Sequence, residues 1–347
     1  MSGAPGAVAA IPGRMRVLRL YDVDRLRVEE MDVPRPAAGE LLVRTRASGI
    51  CSGDLMDWYV RRKAPLVLGH EPAGEVAAVG PGVEDVRVGD HVALHHHAPC
   101  FACESCRRGA YVHCPTWRAT KLVPGGIAEY ILVPRENVGD ALVVPPALPF
   151  AAASLAEPLA CVAKSLRRGR VSEASRVLVV GLGAMGLLHV IVAKARGAYV
   201  CGVDFDAWRR ARALSLCADG VWAPEDGASP REHAPFDVVV VGPGTPQAWR
   251  AGIAACAPAG TVVLFTPTPE GAEVAIDGYD LYLREIALVP SYSAGPDDMR
   301  EALQLLIDGV VMPEHVVTER VGIEGAAGAY ARMRAGGSAL KAMIEFP

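Results

Sequence analysis

The stretch RVLVVGLGAMGLLHVIVAKARG, residues 176–197, constrains the fold more than any other part of the chain. A run of aliphatic, mostly β-branched residues is followed by Gly181, Gly183 and Gly186, then by apolar positions at helical spacing that stop at Gly197. That order predicts a strand, a tight turn and a helix. In a G-x-G-x-x-G turn the first glycine permits the bend, the second lets the backbone approach a pyrophosphate, and the third lets the helix pack closely on the strand. Leu182 and Met185 lie between these glycines and share the candidate contact with the cofactor. A pyrophosphate here would rest on the positive end of the helix. The next predicted strand, AYVCGVD, ends at Asp204, roughly 20 residues beyond the loop, where a carboxylate can accept hydrogen bonds from ribose hydroxyls. The same charge repels a 2'-phosphate, so NAD is the expected dinucleotide. Asp206 competes for the ribose role, and Arg209, one helical turn on, either flanks the ribose or adenine or is simply solvated.

The alternation continues through AWRRARALSLCA, FDVVVVG, PQAWRAGIAACA, GTVVLFT and IALVPSYS, helix against strand, which predicts a parallel sheet covered on both faces. Residues 15–148 read differently. MRVLRL, LLVRTRAS, EPAGEVAAVG, HVALHHH and EYILVP are short β-branched segments between Pro and Gly turns, the texture of a mostly antiparallel sheet. A chain of 347 residues exceeds what one core usually supports. The expected α/β architecture is therefore a β-rich domain from residues 1–155 and 295–347, with a Rossmann-type domain, 156–294, inserted between them. The helix PDDMREALQLLIDG and the strand LKAMIEF are expected to return to the first domain.

A net charge of −4 offers no field to recruit a polyphosphate, so nucleic acid is not an expected partner. VLVVGLGAMGLLHVIVA falls short of a bilayer span and carries His189 and three glycines, so no membrane partner is expected either. The first residues read as a loose tail, with their basic residues after the apolar stretch, the reverse of a secretory signal. Nine cysteines, an odd number, fit a reducing cytoplasm in which thiols serve metals or packing.

Four of those cysteines, Cys100, Cys103, Cys106 and Cys114, follow C-x2-C-x2-C-x7-C. Four thiolates at such spacing make a closed tetrahedral shell suited to a structural zinc ion. An iron–sulfur cluster is the rival, since Cys114–Pro115 resembles the end of a ferredoxin run, but the last gap is too long and no second cluster motif follows. His95, His96 and His97 cannot all converge on one ion if they lie on a strand, where neighbours face opposite sides. A solvated loop or strand end is expected there. Cys51, His70, Glu71 and Glu157 form a further set of candidate metal ligands, from GICSGDLMDW, LGHEPAG and SLAEPLACV.

GIC with Asp54, GHEPAGEV, the four-cysteine segment, PGGIAEY and GLGAMG, in this order, resemble the zinc-dependent medium-chain alcohol dehydrogenases over nearly the whole chain. AEPLA resembles their polyol (sorbitol) and threonine dehydrogenase branch. The resemblance implies a GroES-like catalytic domain, a Rossmann coenzyme domain, and two zinc ions per chain, one structural and one catalytic. It implies that Cys51 and His70 bind the catalytic ion, completed by Glu71 or Glu157 and by water or substrate, with Asp54 orienting His70. An alcohol in the open position loses its proton and passes hydride to NAD, giving a ketone, reversibly. Phe265 and Ser291 are implied to flank the nicotinamide. The implied substrates are polyols, cyclitols, amino alcohols or β-hydroxy amino acids, and the implied assembly is a homodimer or homotetramer.

Two departures stand out. Relatives place Ser or Thr before the aspartate to start a proton relay, and this chain reads CSGD, leaving Gly53 there and Ser52 one position earlier. Tyr59 or His189 are substitutes, although packing explains each more simply. Polyol dehydrogenases also carry an arginine where Ser291 precedes Tyr292, which counts against sorbitol itself. The rival functions are a zinc-independent reductase of enones or quinones, and a non-enzymatic zinc-binding structural protein.

Overall fold

A computed structural model describes residues 10–226 and 235–347, so most of the expected N-terminal tail lies outside the described residues. The chain divides into two units. The first comprises Met1–Ala156, Glu319–Arg334 and Ala342–Pro347, and the second Glu157–Thr318 and Ala335–Lys341.

In the first unit, strand Leu41–Gly49 is the organising element. Lys341–Glu345, Glu71–Val79 and Tyr130–Val133 all pair with it antiparallel. With partners at both edges and packing on both faces, its Leu41-Leu42-Val43 run is fully buried. Met15, Val17, Val92 and Ile131 complete this core. The register sets Gly49 opposite both Glu71 and Met343, so the chain leaves the sheet at Ile50 beside Glu71. Strands Arg14–Asp22, Arg25–Asp32 and Leu66–Val67 make a second, smaller sheet.

The second unit holds a six-stranded parallel sheet in the order Gly220–Trp222, Tyr199–Val203, Arg176–Val180, Phe236–Val241, Cys256–Leu264, Ala287–Pro290. Its inner strands are continuous aliphatic runs because both faces are covered. Helices Ala184–Ala195, Ala207–Ser215 and Pro246–Ala255 are the crossovers between them.

One boundary differs from the expectation of 295–347 in the first domain. Helix Pro296–Ile307 groups with the second unit, where Asp298 pairs with Arg167 and Glu301 with Arg196. The final strand does return to the first sheet. Strands Arg25–Asp32, Gly220–Trp222 and Val317–Val321 and helices Gly278–Leu283 and Ala326–Ala335 were not foreseen. No helix among the described residues is long and apolar enough to cross a membrane.

Candidate functional site

Cys51 caps the short 3-10 turn Ser52–Leu55, and its Sγ accepts the Gly53 N–H at 3.3 Å. Ile50, just before it, donates its N–H to Ala342 O on the returning strand. His70 follows Gly69, whose φ of +95° and approach to Ile127 leave no room for a side chain, since an added Cβ would lie 2.6 Å from Ile127. Ser154 braces the two segments. Its hydroxyl accepts the Gly49 N–H and donates to Glu71 O.

These constraints bring Cys51 Sγ, a His70 ring nitrogen and a Glu71 carboxylate oxygen all within 4.8 Å of one another. Glu71 is buried. His70 Nδ1 stands 3.3 Å from Asp54 Oδ2, and Asp54 is itself buried, with its carbonyl accepting from Tyr330 Oη. Burial raises the Cys51 thiol pKa. The His70 imidazole sits well above its ordinary value: burial opposes its charge, and Asp54 and Cys51 outweigh burial. A soft sulfur, an imidazole and a buried carboxylate this close fit a zinc ion with one position left open.

Glu157 lies in the other unit, in the first turn of helix Ala156–Arg168, and accepts a weak bond from Cys161 Sγ at 3.7 Å. Ser52 is exposed, and its hydroxyl makes no hydrogen bond among the described residues.

The four cysteine sulfurs also lie within 4.8 Å of one another. Cys103 and Cys106 are 3.5 Å apart and Cys100 and Cys106 4.0 Å, close to the ~3.8 Å edge of a tetrahedral zinc–thiolate shell. The N–H groups of Cys100 and Cys103 point at Cys114 Sγ and Cys100 Sγ, both at 3.3 Å. Against the cost of its burial, such donors bring the Cys114 thiol down to about 6, while burial and the neighbouring sulfurs push Cys106 up to about 12. Four thiolates so close repel, and a dication is what stabilises them together. The set fits zinc. No disulfide joins any two of the nine cysteines.

The three histidines are not the solvated loop that was expected. His95 is fully buried with Nδ1 2.6 Å from Asp140 Oδ2. His96 and His97 are half-buried with their rings in tilted contact, and His97 Nδ1 donates to the Thr120 carbonyl. Burial holds His97 at about 4 and His96 well below its ordinary range. Strand His91–Ala93 ends before them, so the alternation assumed from the sequence does not govern their directions.

In the second unit Gly181 has φ +87°, and a Cβ on Gly186 would lie 1.9 Å from the Gly181 carbonyl oxygen, which makes both glycines obligatory. Gly183 by contrast has open space, with only Arg209 Nη1 within 4 Å. Asp204 Oδ2 accepts the Leu182 N–H at 2.6 Å, and Oδ1 accepts the Asp206 N–H at 2.9 Å. Asp206 caps helix Ala207–Ser215 with one carboxylate oxygen, Oδ1, which accepts the Trp208 and Arg209 N–H groups. Arg209 donates to Gly337 O and sits 4.0 Å from Asp204. Met185 O accepts from His189 Nδ1. Phe265 packs edge-on against the His189 ring, and Ser291 is buried where its N–H meets Leu264 O.

A β-rich unit with two convergent metal-ligand sets, and a parallel-sheet unit with a phosphate-type glycine loop, define a zinc-binding dehydrogenase. Residues 37–145 match the family "Alcohol dehydrogenase GroES-like domain" and residues 184–308 the family "Zinc-binding dehydrogenase". L-Threonine 3-dehydrogenase of Pyrococcus abyssi is 38% identical over 268 residues, 73% of this chain and 75% of that protein. D-Altritol 5-dehydrogenase of Agrobacterium fabrum is 31% identical over 86% of this chain and 90% of its own length. A provisionally named zinc-binding dehydrogenase from Sinorhizobium meliloti 1021, solved with NADP, superposes with a TM-score of 0.87 at 27% identity, covering 96% of this chain and 100% of that one. The chain belongs to the zinc-binding alcohol dehydrogenase family, with a GroES-like domain and a Rossmann-type coenzyme domain.

Proposed function

We propose that this enzyme oxidises a secondary alcohol to a ketone, reversibly, with NAD as hydride acceptor. The first unit would be the catalytic domain and the second the coenzyme domain. The observation that carries this reading is the convergence of Cys51, His70 and Glu71. A zinc ion held there supplies a Lewis acid that favours loss of the alcohol proton at neutral pH. The protein does the rest. Asp54 Oδ2, 3.3 Å from His70 Nδ1, favours a proton on that nitrogen by its charge and would leave Nε2 to bind the ion. Glu71 is our third ligand, because it comes off the same strand register that fixes Cys51. Glu157 in the second unit is the alternative third ligand. With Gly53 lacking a hydroxyl, the alcohol proton passes directly to water. Cys100, Cys103, Cys106 and Cys114 hold a second, structural zinc ion.

Asp204 supports NAD over the NADP found in the Sinorhizobium protein, since it is an acid where a 2'-phosphate would lie. The threonine and altritol relatives support a hydroxyl flanked by further polar groups, in an amino alcohol, hydroxy acid or polyol. We place the enzyme in the cytoplasm as a homodimer or homotetramer. The test is NADH formation across threonine, sugar alcohols, cyclitols, 2,3-diols and simple secondary alcohols, with zinc counted on the same sample. Two ions per chain and turnover of one polar class are expected. A chain with only the four-cysteine ion and no turnover would refute the catalytic reading.

A further inference from the structure

We propose that His96, His97 and Trp117 form a bridge of tilted rings in contact, through which the four-cysteine lobe positions His70, so that the lobe is a strut for the candidate catalytic centre. The contacts run without a gap. The His70 and His96 ring centroids are 4.8 Å apart at 44°, His96 and His97 4.1 Å at 50°, and His97 and Trp117 4.2 Å at 37°. Trp117 is buried in the lobe's own small core with Cys103, Cys106 and Cys114. The bridge is tied at both ends of the histidine run. His95 anchors on Asp140, while His97 Nδ1 is held by the Thr120 carbonyl, in a turn closed by Thr120 Oγ1 and the Ala98 N–H.

This gives the consecutive histidines a role as rings rather than as ligands. Asp54 Oδ2 faces His70 Nδ1 across 3.3 Å at one edge of the ring. A single charged neighbour at one edge still lets a ring swing, and His96 lies against the ring to limit the swing. His96 needs a backing of its own, which His97 and Trp117 supply. Aromatic pairs at these separations change an equilibrium roughly two- to tenfold each beyond the area they bury, and groups that orient a metal ligand alter metal affinity by roughly 10–100-fold. His96, His97 and Trp117 are positioning residues in this scheme, and the inference rests on Cys51, His70 and Glu71 being metal ligands.

The full-length zinc protein is mixed with a chromophoric chelator and ion release is followed in time, with both ions counted beforehand by mass spectrometry. Two phases are expected, a fast one from the Cys51, His70 and Glu71 site and a slow one from the lobe. His97→Ala should speed the fast phase on the order of tenfold and leave the slow phase alone, and Trp117→Leu should speed the fast phase to a like extent, with its slow phase free to change because Trp117 is part of the lobe core. His97→Phe, which keeps a ring, should restore the wild-type rate, and the double variant should be no faster than the worse single one. With cobalt in the fast site, His97→Ala should shift the visible absorption bands and His97→Phe should not. Unchanged fast release in both single variants overturns the strut. So does acceleration that Phe fails to reverse, or acceleration of both phases together in His97→Ala, which would mean that the lobe has collapsed. A wild-type chain that holds the lobe ion alone would overturn the metal-centre reading itself and the strut with it.

Discussion

Both ring nitrogens of His189 are occupied: Nδ1 donates to the Met185 carbonyl at 2.7 Å, and Nε2 stands 2.6 Å from Ser165 Oγ. Burial, with a smaller push from Arg196, holds this imidazole at about 4 although Met185 pulls the other way. A residue held neutral in the folded state and titrating near 6.5 when unfolded binds fewer protons folded than unfolded between those values. Its contribution to stability is therefore whole above about pH 6.5 and is lost as the pH falls toward 4. Relative to His189→Gln, the wild-type chain should lose up to about 3 kcal/mol of its advantage between pH 7 and pH 4. Parallel urea unfolding of the two proteins reads this directly, and a gap constant with pH would refute it. The same residue shows what sequence could and could not say at this scale. Cys51, His70, the four lobe cysteines and the loop glycines were legible as candidates because their chemistry or their lack of a side chain dictates the residue type, whereas nothing local to the sequence chose between Glu71 and Glu157. His95 to His97 were not, because their directions are set by Asp140, Thr120 and Trp117, partners up to 45 residues away.

Among the elements, those buried on two faces were the easiest to read. FDVVVV and RVLVV are unbroken aliphatic runs and became inner strands of the parallel sheet. RLRVEEMD is strand Arg25–Asp32, at the outer edge of a three-stranded sheet, and its side chains are only half-buried or exposed, so little apolar signal marks it. Helix Pro296–Ile307 was legible as a helix, but an amphipathic pattern says that one face is covered and not which unit covers it. Arg167 and Arg196 decide that, and no local pattern contains them. The four-cysteine lobe is an element of another kind, with a core of only a few side chains, so on the proposed reading a zinc ion rather than buried area would supply its stability. Cys103→Ser removes one of four thiolates, about a quarter of the roughly 10–16 kcal/mol that a structural zinc supplies. The melting temperature should fall by roughly 5–10 °C. Hydride transfer in single-turnover measurements on the fraction that keeps its catalytic ion should change only a few-fold, because the lobe touches no reacting atom. Normal melting with hydride transfer abolished would contradict this.

At the scale of the molecule, the chain passes from one unit to the other four times, and the first unit is completed only by the last six residues. Ala342, Met343 and Ile344 are fully buried and Phe346 nearly so. The strand they belong to pairs with Leu41–Gly49, Ala342 O receives the N–H of Ile50 beside Cys51, and Phe346 N–H meets Arg46 O. Burying Met, Ile and Phe side chains is worth about 1.5–3 kcal/mol each, which together approaches the roughly 5–15 kcal/mol net stability of a typical domain. A chain ending at Lys341 should therefore fail to hold the β-rich unit, although every residue of the second unit remains in it. The expected result is loss of the ion at Cys51, His70 and Glu71 and rapid proteolysis within residues 10–156, while NADH fluorescence still reports binding at the glycine loop. Zinc analysis, limited proteolysis and an NADH titration on one preparation separate the outcomes. Retention of the ion and of protease resistance would mean that Leu41–Gly49 holds its register with the strands that remain. Loss of NADH binding as well would mean that the Rossmann sheet does not stand without the completed β-rich unit.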